Sequence, residues 1–437
     1  MVPMFFRLLR SLFLFVLLIV VALIGFAFVV IEDTPSVAAY QPPSAEDVVA
    51  ARSFVGEVQA ALNPDVAQSQ VISSEAELNS VIKLGARLIP GFRGHVEVDG
   101  QVVTGLVSVP LPYLTGKWVN AHASVPAFDG QLAFSEVRIG PVGLPPKATL
   151  SLIRFAAGQV LGGETGDKLI DAAQKMQIAG TQLTFDMAID HMGEMGSNGI
   201  MRGLFGALRG GDLPPLEEIG QYYALIRTAM DRGELPTTGS YLPYLQFTLE
   251  AAHQNATPDT QQDAYTAAIF ALTLVCGARD FQTVVGGLSD AISDVDRDWQ
   301  TDCRKVTFND RIDSRRHFTT AAAIQAASNR GVAITIGEFK ELYDSQRSGG
   351  FDFTDIAANN SGIRLSNRFM GAAGNDWPAL LARIQTEGDV LVSYDGIPQI
   401  MSAEDFEQSY GHVDDPRYHV MLDKIEAKID ELTLHQK

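Results

Sequence analysis

Six residues of one stretch, Asp313, His317, Glu341, Asp344, Asp355 and Asn359, are of the types that hold metals or move protons. They lie in DSRRHFTTAAAIQAASNRGVAITIGEFKELYDSQRSGGFDFTDIAANNSG, residues 313–362, where polar side chains recur at helical spacing on otherwise apolar segments. Asp313 and His317 are four residues apart and share a helix face. Glu338, Glu341 and Ser345 share another, as do Lys340 and Asp344. Asp355 and Asn359 repeat the four-residue spacing, and Gly362 and Ser366 continue their stripe. Three consecutive helices would aim all six candidates at one point.

Such a set supports two chemistries. His317, Glu341, Asp344 and Asp355 offer the nitrogen and oxygen ligands that suit a divalent ion such as zinc, manganese or iron. Water on that ion is acidified and could attack a phosphoester, amide or glycosidic bond. Without a metal, His317 held by Asp313 or Asp355 would act as general base, and paired carboxylates would raise one another's pKa. The structural alternative is a satisfied hydrogen-bond network that locks three helices together, with Lys340 paired to Asp344 or Asp355. Open volume where His317 meets the carboxylates would favour catalysis. A dry cluster with every polar atom paired would favour the structural role.

The large motif-bearing enzyme classes leave no trace: there is no His-Glu-x-x-His, Gly-x-Ser-x-Gly, Gly-Lys-Ser/Thr phosphate loop or Cys-x-x-Cys. Gly411-His412-Val413-Asp414-Asp415 with His419 reads as a solvated turn, and His95, His122 and His191 as surface or satisfied residues. The methionines between Met187 and Met201 read as gap-fillers. Asp313-x-x-x-His317-Phe318, then Gly337-x-x-Lys340-Glu341-x-x-Asp344-Ser345, then Phe353-x-Asp355 and Gly362 resemble the YfiM-like family of bacterial envelope lipoproteins. More loosely, they are similar to VanZ-like membrane proteins. The resemblance spans residues 313–366 of 437 and implies an envelope protein but no particular reaction. Ser314 stands where the first motif usually has Lys, and there is no lipobox cysteine. The SEAELN segment and the alternating residues after it resemble YpmS-like envelope proteins.

Elements that would position the cluster follow from periodicity. Ser44 with Asp47, and Ser74 with Glu77, are helix-start signals. From Gly94 the period changes to alternation around Asp99-Gly100 and Asp129-Gly130, two hairpin signals, so residues 45–150 are expected to form a small α+β module of two helices and about four antiparallel strands. From about residue 148 onward only helices are expected, among them 166–190, 258–276, 279–292, 316–329, 332–346, 353–370 and 416–433. Residues 151–211 would be a helical connector and 212–437 an all-α domain that carries the cluster.

Ahead of these, Ser11 to Ile31 carries no charge and would reach about 32 Å as a helix, against a hydrocarbon core of about 30 Å. Arg7 and Arg10 precede it, and Glu32 and Asp33 follow. The expectation is a single-pass anchor (residues 1–31), then a linker (32–44), placing the bulk of the chain in the periplasm at the inner membrane. A cleaved signal peptide is the rival. The full fold class expected is α+β: a transmembrane helix, a small antiparallel sheet module, then a larger all-α region.

The formal net charge of −19 argues against nucleic-acid partners. The partners left are the membrane, through the first helix, and an envelope component or protein. Cys276 and Cys303 are equally compatible with buried thiols and with a disulfide closing a loop of about 28 residues, which would stabilise by roughly 3–4 kcal/mol. The functional expectation is a non-catalytic binding or structural role near the membrane, with hydrolysis at the Asp313–Asn359 cluster as the alternative.

Overall fold

Alternation after Pro90 builds a sheet. In the computed structural model, which describes residues 28–61, 68–88, 91–111, 114–161, 165–188, 212–278, 303–328, 330–345, 350–372 and 376–436 with a few single residues between, Ile31–Glu32 (β1) is followed by the helix Ala45–Ala61 (α1), the strand Gln68–Ser74 (β2) and the helix Glu75–Gly85 (α2). Strands Arg93–Asp99 (β3), Val102–Pro110 (β4), Trp118–Pro126 (β5), Phe128–Asp129 (β6), Glu136–Ile139 (β7) and Val142–Gly143 (β8) come next. An antiparallel sheet runs β3-β4-β5-β7-β8, with β1 beside β5. Gly100, at φ +41°, supplies the left-handed turn between β3 and β4. Ser74 and Glu77 form the expected capping box at the start of α2.

Two expectations are corrected. Among the described residues no helix is long and apolar enough to cross a membrane. This overturns the single-pass anchor, and the inner-membrane location and periplasmic bulk that rested on it fall with it. Residues 11–24, 26 and 27 of that expected span lie outside the described residues. Its far end is sheet: Ile31 pairs with Val119 and Glu32 with Trp118. Nor is the stretch that follows a free linker. The Ser36 amide donates to Ser108 Oγ and Asn120 Oδ1, both at 3.0 Å, and Val37 is buried.

The second correction concerns the chain after residue 148, which is not purely helical. Helices Pro146–Leu161 (α3) and Thr165–Ala172 (α4) lead into a hairpin of Ala173–Ala179 (β9) and Gln182–Ala188 (β10). The hairpin turns at Gly180, φ +64°. It joins β2 and β6 in a second antiparallel sheet ordered β2-β10-β9-β6. Alternation in KMQIAGTQLTF is a strand pattern, and pairing of Phe185 with both Met176 and Val71 overrides the local helical preference. Further on, Thr238–Ser240 (β11) and Lys305–Thr307 (β12) form a short parallel pair inside the helical region. The fold is therefore mixed, with strands on both sides of the boundary expected at residue 150. The helix expected at 279–292 lies outside the described residues.

The helical region is layered around Gln261–Cys276 (α7), nearly every residue of which is buried. Leu216–Asp231 (α5) and Leu242–Asn255 (α6) cover one side of α7, and Ile312–Ala327 (α8) covers the other. Arg330–Ser345 (α9) and Phe353–Met370 (α10) complete the site scaffold; Trp377–Ala382 (α11), Ala403–Tyr410 (α12) and Pro416–Asp430 (α13) close the chain. A disulfide joins Cys276 at the end of α7 to Cys303, with their Cα atoms 5.3 Å apart. Arg315, fully buried on α8, donates to the carbonyls of Cys303 and Val306 and fastens the strand that precedes its own helix. The sheet module docks on α9 through Arg87, which bonds Asp414 at 2.6 Å and Glu338 at 3.3 Å.

The most extensive helix contact is between α8 and α10. It is close because Gly362 has no side chain: a Cβ there would overlap the carbonyl oxygen of Phe318 and lie 3.2 Å from the amide nitrogen of Ala322. Gly362→Ala is expected to lower stability by about 3 kcal/mol or more. Gly56→Ala, in open space on α1, should be neutral or stabilising by up to about 1 kcal/mol. Denaturant unfolding of both variants checks this, and equal midpoints would sink it.

Candidate functional site

Each of the three site helices places its polar residues by an identifiable local device. Asp352 caps α10, its side chain accepting from the Thr354 amide, so Asp355 falls in the first turn and Asn359 one turn later on the same face. On α8, Ser314 is held by a 2.7 Å hydrogen bond from Tyr394 in the first turn, which carries Asp313, and His317 follows one turn later on the same face. On α9, Gly337 admits Asn359: a Cβ at residue 337 would come within 2.9 Å of Asn359 Nδ2.

His317 is 4% exposed and central. Its Nδ1 lies 3.1 Å from Asn359 Oδ1 and 3.9 Å from Glu341 Oε1. Its Nε2 lies 3.1 Å from Asp355 Oδ2, but out of line for a hydrogen bond. An amide oxygen can only accept, so Nδ1 carries the proton that the Asn359 contact requires, and in the neutral ring the free lone pair is on Nε2. Three buried atoms of the cluster have no hydrogen-bond partner: His317 Nε2, Asp355 Oδ1 and Asn359 Nδ2. Unpaired buried polar atoms are costly and rare in a purely structural network.

These residues border open volume. A cavity of about 320 Å³ is lined on its polar side by Asp313, Arg316, His317, Lys340 and Asn359. Ala321, Ile324 and Ile336 make an apolar wall, and Gly277 and Ala278, just past Cys276, contribute at one end. The Ala278 amide donates to Thr320 Oγ1 at 3.0 Å, holding the end of α7 against α8.

Charge is distributed unevenly around His317. Burial pushes the Glu341 carboxyl up to about 7, against the smaller opposing pulls of His317 and Lys340. Burial alone would lower the pKa of His317, but the contact with Asp355 and its charge outweigh it, so the imidazole binds its proton more tightly than usual. Lys340 pairs with Asp344 at 2.7 Å and Glu341 at 3.3 Å, and its pKa is raised despite burial. Arg311 reaches Asp352 at 3.0 Å and Asp355 at 3.7 Å.

The structure therefore brings His317, Glu341, Asp355 and Asn359 together in a buried knot, with Asp313 at the cavity edge. One ligand-capable atom from each of Asp313, His317 and Asp355 lies within 4.8 Å of the other two. Asp344 is turned towards Lys340 and solvent and stands apart from this trio. The sequence reading did not include Arg311, Arg316 or Tyr394. Arg311 and Arg316 were visible in DRIDSRRHF, but a basic residue at a helix start carries no signal of what it faces. Tyr394 arrives from a loop distant in sequence.

Glu341 and His317 both hold protons more tightly folded than unfolded. The stability Glu341 contributes is complete below its unfolded pKa near 4.5 and is lost as pH rises through about 7, and that of His317 is lost only above the ordinary imidazole pKa. Asp355, Asp344, Lys340 and His317 all face Glu341 and shape that titration. In chelator-treated buffer, Glu341→Gln should flatten the loss of wild-type stability between about pH 5 and about pH 8, a difference of up to about 3 kcal/mol. Parallel pH–Tm curves for the two proteins would contradict it. Comparisons with protein-family models, curated proteins and solved structures return no match, so the chemistry of this cluster stands on its own geometry.

Proposed function

We propose that the helical region is a hydrolase for a small ligand that enters the α8–α9–α10 cavity. The observation that carries this is the unpaired, buried edge of the polar knot: His317 and Asn359 line open volume while His317 Nε2, Asp355 Oδ1 and Asn359 Nδ2 lack partners. A dry, fully paired cluster would have supported a role in stability alone.

The chemistry is a water-dependent cleavage. The His317–carboxylate cluster accepts a proton from water, and the water oxygen forms a bond to the electrophilic carbon or phosphorus of the ligand. The bond to the leaving group breaks, and the proton passes to that group. Lys340 and Arg316, at the polar wall, face the position where negative charge would grow. The apolar wall of Ala321, Ile324 and Ile336 suits a ligand with a short hydrocarbon part. Because His317 holds its proton tightly, turnover should rise with pH as the ring is freed.

The test is turnover of ester, amide and phosphoester reporters by wild type, His317→Gln, Asp355→Asn and the cavity-filling Ala333→Phe. Wild type should turn over at least one class. The two polar variants should lose about 100-fold or more of that rate, and Ala333→Phe should block it with the polar knot intact. Equal rates in wild type and His317→Gln for every class would sink the reading.

A further inference from the structure

We propose that Asp313, His317 and Asp355 form a binding site for one divalent first-row transition cation, seated between His317 Nε2 and the two carboxylates. This deepens the hydrolytic reading and rests on it only in sharing the cavity: it names what holds the water.

Four observations carry it. First, the three side chains come from two helices whose relative position is fixed at Gly362, and their ligand-capable atoms already lie within 4.8 Å of one another. A cation about 2.0–2.2 Å from each of two donors spans up to roughly 4 Å between them, so only a small side-chain adjustment separates this arrangement from a ligand set.

Second, the tautomer is set for ligation. Asn359 Oδ1 takes the Nδ1 proton at 3.1 Å, which leaves the Nε2 lone pair directed away from Asn359. A hydrogen bond from the far nitrogen to an oxygen acceptor is the support that metal-bound imidazoles receive.

Third, Nε2 lies 3.1 Å from Asp355 Oδ2 with no hydrogen bond aligned between them, so a proton is poorly placed to join the two. A cation seated along the Nε2 lone pair takes that nitrogen and an Asp355 oxygen together; the second Asp355 oxygen has no hydrogen-bond partner and only the Arg311 guanidinium at 3.7 Å.

Fourth, the neighbouring charges are already assigned. Asp352 takes the shorter contact with Arg311, and Asp344 takes Lys340. Asp313, exposed at the cavity edge, has no ion pair within 4.0 Å among the described residues. One imidazole and two carboxylates form a borderline-soft donor set suited to zinc or manganese rather than to magnesium, which favours all-oxygen surroundings. Asp313 and His317 also line the cavity, the side from which water and ligand would reach the ion.

Isothermal titration of the chelator-stripped full chain with Zn²⁺, Mn²⁺ and Mg²⁺ tests the site directly. One equivalent of Zn²⁺ or Mn²⁺ should bind, with Mg²⁺ much weaker. Asp313→Asn, whose side chain is exposed and whose fold is therefore safe, should weaken binding at least about tenfold, and His317→Gln should abolish it. Melting curves of each variant confirm folding before titration. Absence of saturable Zn²⁺ and Mn²⁺ binding by wild type overturns the proposal, as does binding unchanged in Asp313→Asn. The hydrolytic reading fails separately. Turnover that survives chelation but not His317→Gln removes the cation and keeps hydrolysis, whereas cation binding with no turnover of any reporter keeps the site and removes hydrolysis.

Discussion

Everything at the polar cluster depends on how closely α8 and α10 approach. The missing side chain at Gly362 lets the backbone of α10 lie on the Phe318 carbonyl. Phe318 follows His317, and Gly362 lies three residues beyond Asn359, so one contact sets both the helix spacing and the reach of imidazole to amide. Ser366 extends the seam, donating to the Ala322 carbonyl at 2.7 Å and meeting Tyr265 from α7. Packing and site geometry are thus one constraint in this protein.

The buried charge needs compensation, and the fold supplies it in graded fashion. Arg311 and Lys340 sit at the margins of the knot, partly exposed, and their carboxylate partners outweigh the desolvation they suffer. In the interior, burial favours the neutral form of Glu341, while Asp355 favours the protonated form of His317. Full ionisation of every carboxylate is avoided at the most buried position, which is Glu341. A second polar joint, Arg87 with Glu338, Asp414 and Tyr418, uses the turn of α9 just before Glu341 to hold the sheet module. That helix therefore bridges the module, through Glu338, and the site, through Glu341.

The helical spacing of Asp313–His317 and Asp355–Asn359 was legible because a side chain's face follows directly from i,i+4 periodicity. So was their convergence, since short connections leave consecutive helices as neighbours. Asp344 pairs with Lys340, as their shared face allowed, and stands off from Glu341 because a one-residue step turns a side chain by about a quarter of a helix turn. The β9–β10 hairpin was hidden because KMQIAGTQLTF fits both periods locally, and its partner β2 lies about a hundred residues earlier, a pairing no local pattern discloses. The apolar run ending at Ile31 was read by hydropathy alone, which cannot register that Ile31 and Glu32 would find a sheet edge at Trp118–Val119.

The Cys276–Cys303 bond has a topological side as well as an energetic one. Its two Cα atoms lie 5.3 Å apart, so the intervening chain is a closed covalent ring. The departure point is followed at once by Gly277 and Ala278 of the cavity wall, and the return point is clamped by Arg315. The ring is anchored between its ends as well: Phe281 and Leu288 within it are buried in the helical core, Phe281 edge-on to Phe270 of α7. Substitution at either position therefore reaches the packing of α7, while the disulfide keeps the two ends of the ring together.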